Sequence, residues 1–155
     1  MSKPTLDKAA PKFSLPSTSG DVWKSTEAKG KSLVLYFYPR DNTPGCTTET
    51  TAFRDHYAQF KKAGIEVIGI SADSLSSHEK FKDKLKLPFE LLSDTEHKVC
   101  QLFDVFKEKT LYGKKFMGIE RSTFLIDSTG KIRYEWRKVK VLGHVEAVLT
   151  EAIKL

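Results

Sequence analysis

The sequence predicts one α/β domain, a central mixed β-sheet flanked by helices. Three observations carry that expectation. Two apolar runs, 32–38 and 65–70, enclose a segment with helical spacing. Two strand-like runs, 121–127 and 132–136, meet at the turn Ser128-Thr129-Gly130. An amphipathic stretch, 144–154, follows them. Strand, helix and strand in succession make a βαβ unit with parallel strands, whereas a tight turn joins antiparallel ones. At 155 residues, a single domain over 1–155 is expected, and that length can bury a sizeable core without disulfides or metal.

The elements follow in order. Residues 1–7 read as a loose arm, and the looseness extends toward residue 10. Lys12-Phe13-Ser14-Leu15 alternates polar and apolar residues before Pro16, the pattern of a short strand. Asp21-Val22-Trp23 is its return partner, giving an N-terminal β-hairpin. Lys29-Gly30-Lys31 is a turn. The run Ser32 to Tyr38 is continuously apolar and aromatic, as in a central strand buried on both faces. Pro39 ends it. Thr43 is a natural helix N-cap and Pro44 suits the first helical position. Phe53, Tyr57 and Phe60 form the apolar stripe of that helix, and Gly64 suits its C-terminal end. A helix over 76–85 stops at Leu87-Pro88, with Ser76 and Ser77 near its cap. A short strand covers 89–92. Val99, Leu102, Phe103 and Phe106 have helical spacing within 95–106, and Gly113 and Gly118 mark loops. A βαβ half followed by a ββα half resembles the thioredoxin-like arrangement, here with the added hairpin and an inserted helix.

Composition narrows the function classes. Hydrophobic residues make up 39% and charged residues 30%, as in soluble globular chains. Two cysteines are too few for a secreted disulfide scaffold. No run approaches membrane-spanning length and the first residues carry no apolar signal core, so a cytoplasmic, reducing location and no membrane partner are expected. The formal charge is +6. Lysines interleave with Asp and Glu, without a basic repeat or stacking aromatics, so a solvated surface is expected and no nucleic-acid partner. His56, His78, His97 and His144 have no metal spacing with each other or with the cysteines and read as surface residues. No phosphate loop or nucleotide fingerprint is present, so neither metal nor cofactor is expected.

Cys46 is the candidate reactive group. It falls in the first turn after Pro44, where backbone N–H groups lack intrahelical acceptors and an anion is favoured. Thiolate is the reactive form of cysteine. A free cysteine is more often an inert packing residue, but the neighbours here are Thr, Pro, Gly and Thr. A helix end contributes only about 0.3–1 kcal/mol to a nearby charge, so strong activation needs a cation from elsewhere in the chain.

Pro39-x-x-x-Thr43-x-x-Cys46 resembles the active-site signature of peroxiredoxins. The longer string Tyr36-Phe37-Tyr38-Pro39, then Thr43-Pro44-Gly45-Cys46-Thr47-x-Glu49, is similar to the bacterioferritin comigratory protein subfamily, also called peroxiredoxin Q. Gly69-Ile70-Ser71, Leu91-Leu92-Ser93-Asp94, the Tyr112-Gly113-Lys114 stretch and Gly118 to Asp127 extend the resemblance over nearly all of 8–150. It implies a thiol-dependent peroxidase for hydrogen peroxide and organic hydroperoxides. Cys46 attacks one peroxide oxygen and becomes a sulfenic acid. The resemblance assigns Arg121 as the missing cation and Pro39 as a shield against water. Without it, Arg121 would read as half of a surface ion pair with Glu120 or Glu135. The Thr43 hydroxyl and the Gly45 and Cys46 N–H groups can donate to the developing negative charge.

The second cysteine departs from common family patterns. A resolving cysteine five residues after the first would fall at Thr51, and one on the next helix near Phe81-Lys82. Cys100 flanks the Val99/Phe103 stripe and reads as packing. The expectation is therefore a one-cysteine enzyme, a monomer, reduced by an external thiol such as thioredoxin, glutaredoxin or glutathione. The alternative is a two-cysteine enzyme with Cys100 resolving. A thiol–disulfide oxidoreductase of the same fold would need Cys-x-x-Cys, and Thr43 stands where its first cysteine would be.

Overall fold

In the computed structural model, which describes residues 6–28 and 30–155, the core is a five-stranded sheet in the order β5-β4-β3-β8-β9. These strands are β3 (Ser32–Phe37), β4 (Ile65–Ser71), β5 (Leu91–Ser93), β8 (Ser122–Ile126) and β9 (Ile132–Trp136). The first three pair in parallel, and β8 and β9 join antiparallel. The intervening helix is α1 (Pro44–Lys62), so the βαβ unit is present as expected.

Alternation along β3 creates two cores. Val34, Tyr36 and Tyr38 face a cluster filled by α1 and by α4 (His144–Ile153), with Phe81 from α2 (Leu75–Leu85). Leu33, Leu35 and Phe37 face the other cluster, which holds Val99, Cys100 and Phe103. That second face is covered by α3 (Lys98–Leu102) and by the N-terminal hairpin of β1 (Ser14–Pro16) and β2 (Val22–Lys24). Side chains alternate faces because the strand period is two. One position has no room to spare. A Cβ at Gly69 would lie 2.7 Å from the Tyr36 ring and 2.8 Å from Leu91. Gly69→Ala is therefore expected to cost about 1–3 kcal/mol, measured by urea unfolding.

Several expectations change. Only α3 forms within 95–106, because Asp104 takes a left-handed conformation at φ 55. The chain then makes an unforeseen hairpin, β6 (Phe106–Leu111) and β7 (Lys114–Ile119), so Gly118 lies in a strand. Tyr112 and Gly113 turn it with φ 51 and 76, as a tight hairpin turn requires. Its strands are largely exposed and rich in lysine, so they carry no core-facing alternation. The α2 cap is Ser74, whose hydroxyl accepts from Ser77 N–H, rather than Ser76 or Ser77. The strand expected at 89–92 begins at Leu91. The expected arm over 1–7 lies outside the described residues up to residue 5. From Asp7 the chain is bonded, since Asp7 N–H donates to the Ile132 carbonyl and Ala9 bridges Lys131. Of the turn at 29–31, Lys29 lies outside the described residues, and Gly30 has φ 94.

Candidate active site

The local sequence builds the site at one end of β3. Pro39 cannot donate a ladder hydrogen bond, so the chain leaves the sheet and turns through Asp41 and Asn42 into α1. Thr47 N–H donates to the Thr43 carbonyl at 2.8 Å, closing the first turn. The N–H groups of Gly45 and Cys46 precede that bond and are among the donors a helix start leaves without intrahelical acceptors. Thr43 holds the N-cap position, but its hydroxyl does not cap. It donates to the Arg40 carbonyl at 3.0 Å and fastens the loop instead.

Cys46 is fully buried in the α1 core cluster. The stripe expected to begin at Phe53 starts earlier, since Cys46, Glu49, Thr50 and Phe53 are all buried. Their spacing of three, four and seven is a helical face. Glutamate and threonine are polar by type, so the pattern was hidden.

Arg121 immediately precedes β8, whose Ser122 pairs with Phe37 at the end of β3. The register brings the guanidinium to the mouth of α1. Arg121 Nη2 donates to Cys46 Sγ at 3.3 Å, and Nη1 donates to Glu49 Oε1 at 2.7 Å. A Cβ on Gly45 would stand 3.2 Å from Nη2, so glycine leaves the guanidinium room to pass. Burial works against the Arg121 charge, but Glu49 and Cys46 outweigh it and hold the guanidinium more firmly protonated. The partner is thus Glu49, rather than Glu120 or Glu135.

Glu49 is the residue whose role sequence reasoning missed, although it stands one turn after Cys46. It is fully buried, and burial raises its carboxyl to about 7 despite the opposing pull of Arg121. Its Oε2 has no hydrogen-bond partner among the described residues and lies 3.9 Å from His144 Nε2. Burial, aided by the Arg121 charge, lowers His144 to about 4. The imidazole is therefore neutral near pH 7, and this contact is not an ion pair. Its Nε2 is shared with the Thr123 hydroxyl at 2.8 Å. His144 and His78 are both buried, correcting their reading as surface residues, while His56 and His97 are half-buried.

Cys100 is not brought to this site. It lies in the cluster on the opposite face of the sheet, also fully buried. Burial, with the Asp94 carboxylate beside it, pushes its thiol far up. Pro39 is half-buried where the chain leaves β3 for the loop.

A buried sulfur facing a guanidinium at a helix start is arranged to carry negative charge. In a water-poor site such fixed donors act more strongly than in water. Fold and site together define a thioredoxin-fold enzyme of thiol redox chemistry.

Known proteins agree with that class. The AhpC/TSA family model matches residues 6–135. Peroxiredoxin Bcp of Bacillus subtilis is 51% identical over 144 residues, covering 93% of this chain and 92% of the relative. Peroxiredoxin Bcp of Escherichia coli K12 is 44% identical over 140 residues, covering 90% of each. A cysteine-to-serine mutant of Xylella fastidiosa PrxQ superposes with TM-score 0.91 at 40% identity, covering 97% of this chain and 96% of that one. The Xanthomonas campestris bacterioferritin comigratory protein, solved for its alkyl peroxide reduction activity, gives 0.86 at 45%, covering 90% and 89%. The chain belongs to the AhpC/TSA family, within its Bcp/peroxiredoxin Q branch.

Proposed function

We propose that this chain reduces hydrogen peroxide and organic hydroperoxides at Cys46 and regenerates the sulfur with an external thiol. The observation that carries the reading is the Arg121 Nη2 to Cys46 Sγ contact at the start of α1. The thiolate attacks one peroxide oxygen and the O–O bond breaks. The other oxygen takes a proton and leaves as water or an alcohol, and Cys46 becomes a sulfenic acid. Arg121 and the free helix N–H groups stabilise the charge that spreads over sulfur and oxygen. The Thr43 hydroxyl reaches the peroxide if it rotates from the Arg40 carbonyl, and Pro39 limits water. An external thiol then displaces water from the sulfenic acid to give a mixed disulfide. A second thiol releases Cys46 and leaves as disulfide.

The sheet between the two cysteines favours the one-cysteine reading. A bridge needs Cα atoms within roughly 7 Å, and a thiol pushed up by burial is a poor nucleophile. The Xanthomonas peroxiredoxin Q has been solved as serine mutants of two cysteines that are closer in sequence than Cys46 and Cys100. The monomer, the cytoplasmic setting and the choice among thioredoxin, glutaredoxin and glutathione belong to this proposal. Steady-state peroxide consumption with each thiol tests it. Cys46→Ser should abolish turnover, and Cys100→Ser, on the opposite face of the sheet, should retain it within about twofold, since distant sites without shared partners couple weakly. Loss of thiol-driven turnover in Cys100→Ser, with its single-turnover oxidation intact, would make Cys100 the resolving residue.

A further inference from the structure

The oxidation of Cys46 needs a proton donor besides the groups that face the sulfur. When the O–O bond breaks, the departing oxygen leaves as hydroxide or alkoxide unless an acid protonates it. Arg121 is held more firmly protonated by Glu49 and Cys46, and both of its Nη nitrogens are engaged. The Thr43 hydroxyl donates to the Arg40 carbonyl. The Glu49 carboxyl accepts from Nη1 and not from Nη2, the nitrogen that faces the sulfur.

One further cation reaches this site, from the β6–β7 hairpin. Val105 and Ile119 are buried at the foot of the hairpin, and the Glu120 N–H donates to the Val105 carbonyl at 2.7 Å. Arg121 follows directly, so the hairpin is fixed beside the residue that faces Cys46. In the register of its two strands, Lys109 lies opposite Phe116 and Lys107 opposite Gly118. Lys109 and Gly118 are therefore diagonal neighbours on one face. A Cβ at Gly118 would lie 3.3 Å from Lys109 Cδ and 3.6 Å from its Cε, so the stem of Lys109 crosses the gap that glycine leaves.

The ammonium so placed differs from the others of the hairpin. Lys107 Nζ meets Asp104 at 3.0 Å, and Lys115 Nζ meets Glu108 at 3.8 Å. Lys114 is exposed at the turn. Lys109 is half-buried, and among the described residues no hydrogen bond or ion pair engages its ammonium. Arg121, Cys46 and Glu120 are close enough for their charges to act on it. Burial, with the Arg121 charge, holds it below the ordinary lysine value, against the opposing pull of Cys46 and Glu120. A lysine offers three donors on a flexible four-carbon stem and yields its proton readily when buried.

We propose that Lys109 is a further catalytic residue, the general acid that protonates the departing peroxide oxygen. The Cys46 sulfur bonds to one oxygen as the O–O bond breaks. The electron pair of that bond stays on the departing oxygen, which takes a proton from Lys109 Nζ. Water or an alcohol leaves, Cys46 holds the other oxygen as a sulfenic acid, and the neutral amine regains its proton from solvent. This rests on the peroxidase reading above and names the donor that reading leaves open. A lysine present only for its charge helps every peroxide alike, whereas an acid helps most where the leaving group is poorest.

The test compares leaving groups. Stopped flow follows oxidation of Cys46 in the full chain by tert-butyl hydroperoxide, which expels an alkoxide, and by peracetic acid, which expels acetate, already a stable anion. Lys109→Met should slow the first reaction about 100-fold, the ordinary worth of a general acid. It should slow the second by no more than about threefold, the worth of a partly exposed charge. Lys109→Arg keeps the charge, but a guanidinium does not give up its proton. With tert-butyl hydroperoxide it should therefore stay within about threefold of the methionine variant. Lys114→Met, at the exposed turn, should leave both reactions at the wild-type rate.

Four results overturn the assignment: equal losses with the two peroxides in Lys109→Met; recovery of the tert-butyl hydroperoxide rate in Lys109→Arg; a loss in Lys114→Met as large as that in Lys109→Met; or rates unmoved in both Lys109 variants. Wild type in which neither peroxide forms a sulfenic acid at Cys46 overturns the peroxidase reading and the assignment with it. Wild type that reacts normally, beside Lys109 variants that do not shift, overturns the assignment alone.

Discussion

Arg121→Met is expected to lower the second-order rate of Cys46 oxidation by about 10²–10³, the usual cost of removing a fixed donor from a charge-stabilising site. Methionine keeps much of the volume but neither the charge nor the two donors. Pre-steady-state oxidation by hydrogen peroxide measures the loss. Arg121 also serves Glu49, at 2.7 Å, so the variant should be less stable as well, because removing one member of a buried pair strands the other. Adding Glu49→Gln separates the two effects. The double variant should recover about 1–3 kcal/mol of stability, the cost of an unsatisfied buried group, and none of the rate. Recovery of rate in the double variant would mean that Arg121 acts mainly by neutralising Glu49.

The stability of the wild type should vary little with pH between about 4.5 and 6.5, and a clear rise with pH should appear when Glu49 is replaced. Burial raises the Glu49 carboxyl to about 7, from an ordinary value of 4.5. Between those values the folded chain holds a proton that the unfolded chain has released. The Glu49 contribution is therefore fully present below about pH 4.5 and is lost as pH rises through about 7, amounting to about 3 kcal/mol. His144 runs the other way. Burial lowers it from 6.5 to about 4. Its contribution is present above about pH 6.5 and is lost as pH falls through about 4, again about 3 kcal/mol. The two oppose over their shared range, so together they leave the wild type nearly level there. Glu49→Gln removes one of them, and its stability should rise by about 3 kcal/mol from pH 4 to 6.5. Urea unfolding of both proteins across this range measures the difference, in which the other titrating groups cancel. Parallel curves would show that Glu49 ionises in the folded state as it does in the unfolded one.

What the sequence revealed depends on how each element advertises itself. β3, β4 and α1 were legible because apolar runs and the Phe53/Tyr57/Phe60 spacing report burial directly. β8 and β9 were legible from the turn at Gly130. The β6–β7 hairpin was not, because strands exposed along most of their length carry no apolar alternation, and the short apolar spacing before it imitated a longer helix. At the site, Cys46 was singled out by its place at a helix start among Thr, Pro and Gly, with Thr43 as that helix's cap, while Pro39 and Arg121 gained their roles only through a resemblance to a known signature. Spacing along the chain alone could not bring Arg121 to α1, since that contact depends on the antiparallel register of β8 beside β3. Glu49, His144 and His78 stayed hidden for a related reason. A polar residue buried by tertiary packing has the same local sequence as one facing water.

The central claim is that Cys46 is the sulfur oxidised by peroxide and that Cys100 takes no part. One equivalent of hydrogen peroxide added to the reduced protein, followed by a sulfenic-acid trap and intact mass, tests it most directly, with Cys46→Ser and Cys100→Ser alongside. A single trapped sulfenic acid in wild type and in Cys100→Ser, and none in Cys46→Ser, is the predicted result. A wild type that instead loses two hydrogens, with sulfenic acid accumulating only in Cys100→Ser, would contradict it and make the region around Val99 part of the catalytic cycle.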